Sequence, residues 1–221
     1  MIDVILDRIL PQFCSVCGEE GSVLCFSCIS TIDVSGVFLC PDCDRPSPNG
    51  EVHVGCSSSL DQVVAVTSYA KSVAQHVVRL CKYDYIEMMG EKMGKMCANL
   101  LGSPTSKLDF QVVVPVPLYK KRFATRGFNQ AELIGKYVAD TLGVKCEDLL
   151  VRSRATARQV DMVGEDRRAN VKDAFSIIKK PPRRVILVDD VATTCSTLTS
   201  CADVLRAAGC DYVSAVVFAK G

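Results

Sequence analysis

A chain of 221 residues, with 48% hydrophobic and 23% charged side chains and a formal net charge of +1, can fold as one full α/β domain plus a small appendage, and is too short for two large domains. No apolar run approaches the roughly 18 residues needed to cross a bilayer, which argues against membrane insertion. The opening MIDVILDRILPQF mixes acids with apolar residues and lacks a basic leader or cleavage site, so a cytoplasmic location is expected.

The small net charge hides an uneven distribution. Residues 1–60 carry two basic side chains, Arg8 and Arg45, against eight acidic ones, a balance of −6. The rest of the chain holds 24 against 17, a balance of +7, which suits a phosphate-rich partner as well as it suits a solvated surface.

The head of the chain is rich in cysteine. Cys14 and Cys17, Cys25 and Cys28, and Cys40 and Cys43 form CxxC pairs, and His53 with Cys56 supplies a fourth pair in which histidine replaces one thiol. A two-residue spacer turns both sulfurs toward one ion, and eight such ligands make two tetrahedral zinc sites. Disulfides are the alternative, disfavoured by a reducing compartment. A surface role for His53 would leave only one complete site. Pairing is open: sequential pairing joins Cys14, Cys17, Cys25 and Cys28, leaving Cys40, Cys43, His53 and Cys56, whereas a cross-brace interleaves them. Four protein ligands leave no position for water, so the role is structural. These features predict a zinc-binding head over residues 1–58, a larger domain over residues 59–221, and a linker near residues 57–61.

Beyond the head, residues 61–69 alternate as a strand, with Val64, Val66 and Ser68 on one side and Val63, Ala65, Thr67 and Tyr69 on the other. Residues 72–83 and 87–101 have helical spacing. The second carries Met89, Met93 and Met96 as a core face rather than a cofactor box. His76 receives no role. Residues 110–117 read as a buried strand stopped by proline, and residues 128–142 as a helix ended by Gly143. A strand over 184–190, a helix over 197–208 and a final strand over 212–218 complete the order. Strands alternating with helices imply a mostly parallel sheet flanked by helices, with ligands beyond the carboxyl ends of the strands. Cys81, Cys97, Cys146, Cys201 and Cys210 sit mostly among apolar neighbours as core fillers.

Residues 185–198, VILVDDVATTCSTL, carry the chemistry. An apolar strand delivers Asp189 and Asp190 to the sheet edge, and a hydroxyl-rich loop leads into a helix. Amides at a helix N-terminus, flanked by hydroxyls, cradle an anion. The two acids beside that cradle suit vicinal hydroxyls, or a magnesium ion held through water. A phosphate, a diol and a metal together describe a ribose 5-phosphate that bears further phosphates.

These residues resemble the fingerprint of the type I phosphoribosyltransferases, which bind 5-phosphoribosyl 1-diphosphate (PRPP) through an apolar strand, two acids and a TTGxT-like loop. Cys195 stands where that family has glycine. Either the loop accommodates a small side chain, or a thiol at a helix N-terminus has a depressed pKa and is open to oxidation. Two further stretches, residues 112–134 (VVVPVPLYKKRFATRGFNQAELI) and 152–175 (RSRATARQVDMVGEDRRANVKDAF), are similar to motifs of the ComF family of competence and DNA-utilisation proteins. Cysteine pairs ahead of a phosphoribosyltransferase domain complete the likeness. It implies an α/β fold of the type I phosphoribosyltransferase kind with a small double zinc-ribbon-like head.

On these positions the resemblance implies that Asp189 and Asp190 hold the ribose hydroxyls as the catalytic acids, while Thr193, Thr194, Cys195, Ser196 and Thr197 cradle the 5-phosphate. Pro117, Leu118 and Tyr119 would face the pyrophosphate. Lys120, Lys121, Arg122 and Arg126 would contact pyrophosphate or DNA. A hood over residues 152–170 would close through Arg152, Arg154, Gln159, Arg167 and Asn170. The cations around Tyr119 and Phe123 also suit single-stranded DNA, whose bases stack on rings while cations follow phosphates. Two functions follow: a PRPP-binding protein of DNA uptake, working with Mg²⁺ and a helicase-like motor, or an active phosphoribosyltransferase. No residue stands out as a general base or an acceptor pocket.

Overall fold

A computed structural model describes residues 12–70, 72–83, 86–102, 109–153 and 174–221. Its main sheet has six strands in the order β1-β2-β8-β7-β3-β4. They are β1 (Val37–Phe38), β2 (Gln62–Ser68), β3 (Val112–Pro115), β4 (Lys145–Cys146), β7 (Arg184–Ala192) and β8 (Tyr212–Lys220). All neighbours are parallel except β1, which the head contributes antiparallel to β2 through Val37–Ala65 and Phe38–Val64. A separate antiparallel pair joins β5 (Leu150–Arg152) to β6 (Phe175–Ile177). This is the mostly parallel α/β layout that alternating strands and helices predict.

The period-2 pattern of the strands divides the core between the two faces of the sheet. Val64, Val66, Ile186 and Val188 pack on one side with α2 (Ser72–Tyr83), α3 (Ile86–Leu101) and α5 (Gln130–Leu142). Val63, Ala65, Val185 and Leu187 pack on the other with α6 (Ser196–Ala207), β5 and β6. The methionine stripe is core, as expected, with Met89 and Met93 fully buried. Helix α3 lies against α5 closely enough that a Cβ on Gly94 would meet the Tyr137 Cβ at 2.6 Å.

The head does not stand clear of this core. Cys14, Val23, Leu24, Cys28 and Ile32 share one buried cluster with Val77, Met89 and Met93. The short helix α1 (Phe26–Ile29) carries Cys28 into it. Sequence periodicity missed α1, β1, β4, β5 and β6, because two to four residues are too few to show a period. Lys120, Lys121, Arg122 and Arg126, expected in a loop, lie on a seven-residue helix, α4 (Lys120–Arg126), closed by Gly127 in the left-handed region. No helix among the described residues is long and apolar enough to cross a membrane.

Candidate metal centres and candidate ligand site

The head's ligands gather sequentially. The ligand atoms of Cys14, Cys17, Cys25 and Cys28 lie within 4.8 Å of one another, as do those of Cys40, Cys43, His53 and Cys56. A cross-brace is therefore not the arrangement, and His53 belongs to the second cluster. Its Nδ1 lies 3.3 Å from the Cys43 sulfur, and Nε2 lies 3.0 Å from the Pro46 carbonyl. A carbonyl can only accept, so Nε2 carries the proton and Nδ1 turns its lone pair to the cluster, the usual orientation of a metal-bound histidine.

The local electrostatics suit a cation. The Cys25 amide, 3.4 Å from the Cys14 sulfur, lowers that thiol to about 6 against the opposing effect of burial. Arg45 lowers Cys43 to about 6. Cys28 is raised, chiefly by its contact with Cys17, and burial followed by Cys43 pushes Cys56 up to about 12. Thiols that crowd until some must hold their protons are the donor set from which a divalent ion displaces those protons. Both clusters can hold zinc.

At the other end of the sheet, β7 runs through both acids to Ala192. Consecutive residues of a strand face opposite ways. Asp190 points to the α2 side, where its Oδ2 lies 2.7 Å from Lys82 Nζ. Burial alone would lower the Lys82 pKa, but Asp190, with Asp189 and Tyr69 behind it, holds the ammonium above its ordinary value. Asp189 takes the side of Val185 and Leu187, and its Oδ1 accepts the Asp190 amide at 2.8 Å. Burial, reinforced by Asp190, raises the Asp189 pKa well above the carboxylate range.

That shift has a testable sign. A carboxyl whose folded pKa exceeds its unfolded value of about 3.9 binds more protons folded than unfolded in the interval between, so stability falls as pH rises from about 4 through the folded pKa. Asp189→Asn is expected to melt at a higher temperature than wild type at pH 7. The gain should shrink as pH falls to about 4. Thermal melts across that range check it, and a variant less stable than wild type at pH 7 would show that Asp189 stabilises the fold as an anion.

The loop after β7 has the left-handed turn that glycine would supply. Cys195 takes φ 55° and ψ 2° as the N-cap of α6 and makes no side-chain cap. Beside it, the Thr194 and Ser196 hydroxyls lie 2.6 Å apart. Cys195 is 4% exposed, and burial pushes its thiol up to about 11, so the reactive-thiol alternative gives way to the accommodated small residue. The strained φ exists before any ligand arrives, so it weighs on folding rather than on binding. Cys195→Gly is therefore expected to leave PRPP affinity within about threefold of wild type by calorimetry. A tenfold gain would mean that the loop leaves this conformation when empty.

Lys220, at the end of β8, ties the loop to the head. Its Nζ donates to the Thr193 carbonyl and to the Gly221 carbonyl at 3.0 Å, and lies 2.8 Å from Asp44 Oδ1. Asp44 follows Cys43 of the second cluster. Lys82 and Lys220 were not among the candidates read from sequence. A lysine near the end of an amphipathic helix carries no distinguishing mark, while Lys220, a lone cation closing the apolar strand YVSAVVFAK, is a weak one.

Of the remaining candidates, Pro117, Leu118 and Tyr119 connect β3 to α4, half-buried, and Lys120, Lys121 and Arg122 are exposed. Asn129 caps α5 through the Ala131 amide at 3.2 Å and donates to the Val116 carbonyl at 3.0 Å, which holds the RGFNQ stretch against the end of β3. Arg152 lies in β5, 7% exposed, with its guanidinium 5.3 Å from the Phe175 ring centre. Burial lowers its pKa, and the charge of Asp189 acts in the opposite direction. Arg154, Gln159, Arg167 and Asn170 fall outside the described residues.

No family model matches the chain. Among curated proteins it is similar to Competence protein F of Haemophilus influenzae, 39% identical over 108 residues, a match that spans 47% of this chain and 47% of that protein. DNA utilization protein YhgH of Escherichia coli K12 is 28% identical over 213 residues, or 89% of this chain and 91% of that one. Competence protein ComFC of Streptococcus pneumoniae is 25% identical over 199 residues, 86% and 84% respectively. Among solved structures, the B. subtilis glutamine phosphoribosylpyrophosphate amidotransferase aligns with a TM-score of 0.41 at 21% identity, over 60% of this chain and 26% of that one. Over 86–89% of its length the chain is similar to proteins named for DNA utilization and competence.

Proposed function

We propose that this protein binds PRPP with Mg²⁺ and acts in the uptake or use of imported DNA, handling single strands in the cytoplasm. The observation that carries the PRPP reading is the end of β7, where Asp189 and Asp190 lead into a loop whose residue 195 already holds the left-handed turn that opens α6. In this reading the first-turn amides of α6 and the hydroxyls of Thr193, Thr194, Ser196 and Thr197 receive the 5-phosphate. Asp190, steadied by Lys82, and Asp189 reach the ribose hydroxyls. Pro117, Leu118 and Tyr119 border the diphosphate.

The DNA role draws on the names of the relatives and on α4, whose exposed Lys120, Lys121 and Arg122 sit beside the exposed ring of Phe123. Cations and an aromatic ring on one short helix suit a strand of phosphates and unstacked bases. A helicase-like motor is the proposed partner, with the acidic head as its docking surface.

Calorimetry with PRPP and Mg²⁺ tests the site. Asp189→Asn/Asp190→Asn is expected to weaken binding by about a hundredfold or more, because each charge-assisted hydrogen bond is worth roughly 1.5–3 kcal/mol. Unchanged binding would remove the assignment. Single-strand binding should weaken steeply with salt, and more in wild type than in a variant with Lys120, Lys121 and Arg122 neutralised. Pyrophosphate released in the presence of a base or DNA would instead identify a phosphoribosyltransferase.

A further inference from the structure

Tyr69, Gln75, His76, Val78, Arg79 and Lys82 line a cavity of about 360 Å³ beside α2. Apart from Lys82, none of these residues enters the PRPP reading. Gln75, Arg79 and Lys82 recur at helical spacing on one face, over the buried side chain of Val78. Tyr69 is fixed at the rim by its amide, which donates to the Lys220 carbonyl at 2.7 Å.

We propose that this cavity is a second binding site, for a nucleoside 5′-monophosphate or the 5′-phosphorylated end of a DNA strand. The phosphate falls to Arg79 and Lys82. A guanidinium offers a planar fork that matches phosphate oxygens, and an ammonium has three donors. Asp190 engages the Lys82 ammonium at 2.7 Å and fixes it in place, with donors to spare for a ligand. The rest of the lining exceeds what an inorganic anion needs. The phenol ring of Tyr69 suits a flat heteroaromatic base, and the Gln75 amide presents a donor and an acceptor side by side, the pattern that reads a base edge. PRPP has no base to use these groups. The volume lies within the range of small-molecule sites.

Because Lys82 faces both the cavity and Asp190, the two sites share a cation. An occupant of one alters the affinity of the other, and the effect is reciprocal.

Calorimetry with the four deoxynucleoside 5′-monophosphates, deoxyadenosine, inorganic phosphate, and oligonucleotides with and without a 5′-phosphate tests the proposal. At least one mononucleotide should bind about tenfold or more tighter than phosphate or the nucleoside, and Arg79→Ala should weaken it by about tenfold to a hundredfold. Arg79 is exposed on α2, so the variant should keep the wild-type circular dichroism spectrum. PRPP affinity in Arg79→Ala should stay within about threefold of wild type. A 5′-phosphorylated oligonucleotide that binds tighter than any mononucleotide, while its 5′-hydroxyl counterpart does not, would name a strand end as the ligand; the reverse would name a free nucleotide. Phosphate binding as tightly as every mononucleotide, nucleotide affinity untouched by Arg79→Ala, or PRPP and nucleotide weakened alike would each overturn it. None of these results depends on Asp189→Asn/Asp190→Asn, which alone decides the PRPP assignment.

Discussion

Two zinc ions per chain are expected in the purified protein, and their removal by a chelator should abolish its cooperative thermal melt. Apparent binding energies of about 10–16 kcal/mol per structural zinc equal or exceed the roughly 5–15 kcal/mol that stabilises an ordinary domain. The damage should not stay local. Cys14 and Cys28 pack in the same buried cluster as Val77, Met89 and Met93, so loss of the first ion frees residues on which α2 and α3 rest. The second site acts through a different route. Asp44 follows Cys43 and meets Lys220, which in turn holds the Thr193 carbonyl of the loop after β7, where the proposed ligand would sit. Cys14→Ser is expected to keep one zinc and to lower the melting temperature most, whereas Cys56→Ser should also keep one zinc and, in addition, weaken PRPP. Metal content by mass spectrometry, melts and calorimetry read these outcomes. A metal-free protein with an unchanged melt would show that the clusters are not structural.

Gly50→Ala is expected to be among the most destabilising single substitutions in the molecule. Gly50 is buried, takes φ +75°, and a Cβ there would lie 2.0 Å from the Val63 carbonyl oxygen of β2. The left-handed backbone costs a non-glycine residue about 1–2 kcal/mol, and overpacking against a fixed strand adds about 1–3 kcal/mol, so the sum approaches a large part of a domain's stability. The turn over Pro48–Gly50 also carries the head onto the sheet: Gln62 donates from Nε2 to the Asn49 carbonyl at 2.7 Å and accepts the Ser214 hydroxyl at 3.0 Å. Displacing this turn moves the ligands on either side of it, Cys43 and His53. Gly143→Ala is the control, because Gly143 has φ +67° with nothing within 4 Å of its added Cβ and lies away from both metal clusters. It should lose only the strain, about 1–2 kcal/mol. Denaturant melts of the two variants separate strain from collision, and equal losses would show that the turn moves aside.

The parts whose physics is local were legible in the residues alone. Alternation in DQVVAVTSY set which residues face each side of β2, since a pleated strand has a period of two. Helical spacing placed α2, α3 and α5, and CxxC pairs marked the residues of both candidate metal centres, because a thiol pair two residues apart has few other uses. The motif VILVDDVATTCSTL marked the strand and the loop after it, and the Cys195 departure raised the question of a left-handed residue that φ 55° then answered. Packing settled which cysteines cluster together, because sequential and interleaved pairings have the same spacing. Asp189 and Asp190 diverge because β7 runs past both of them to Ala192 beside β8, the alternation that a strand over 184–190 already implied. Lys82 reaches Asp190 from a helix more than a hundred positions earlier, and Lys220 joins Asp44 to Thr193 across the whole chain. Such contacts depend on how packed layers bring distant side chains within a few ångströms, and no periodicity or local spacing encodes that.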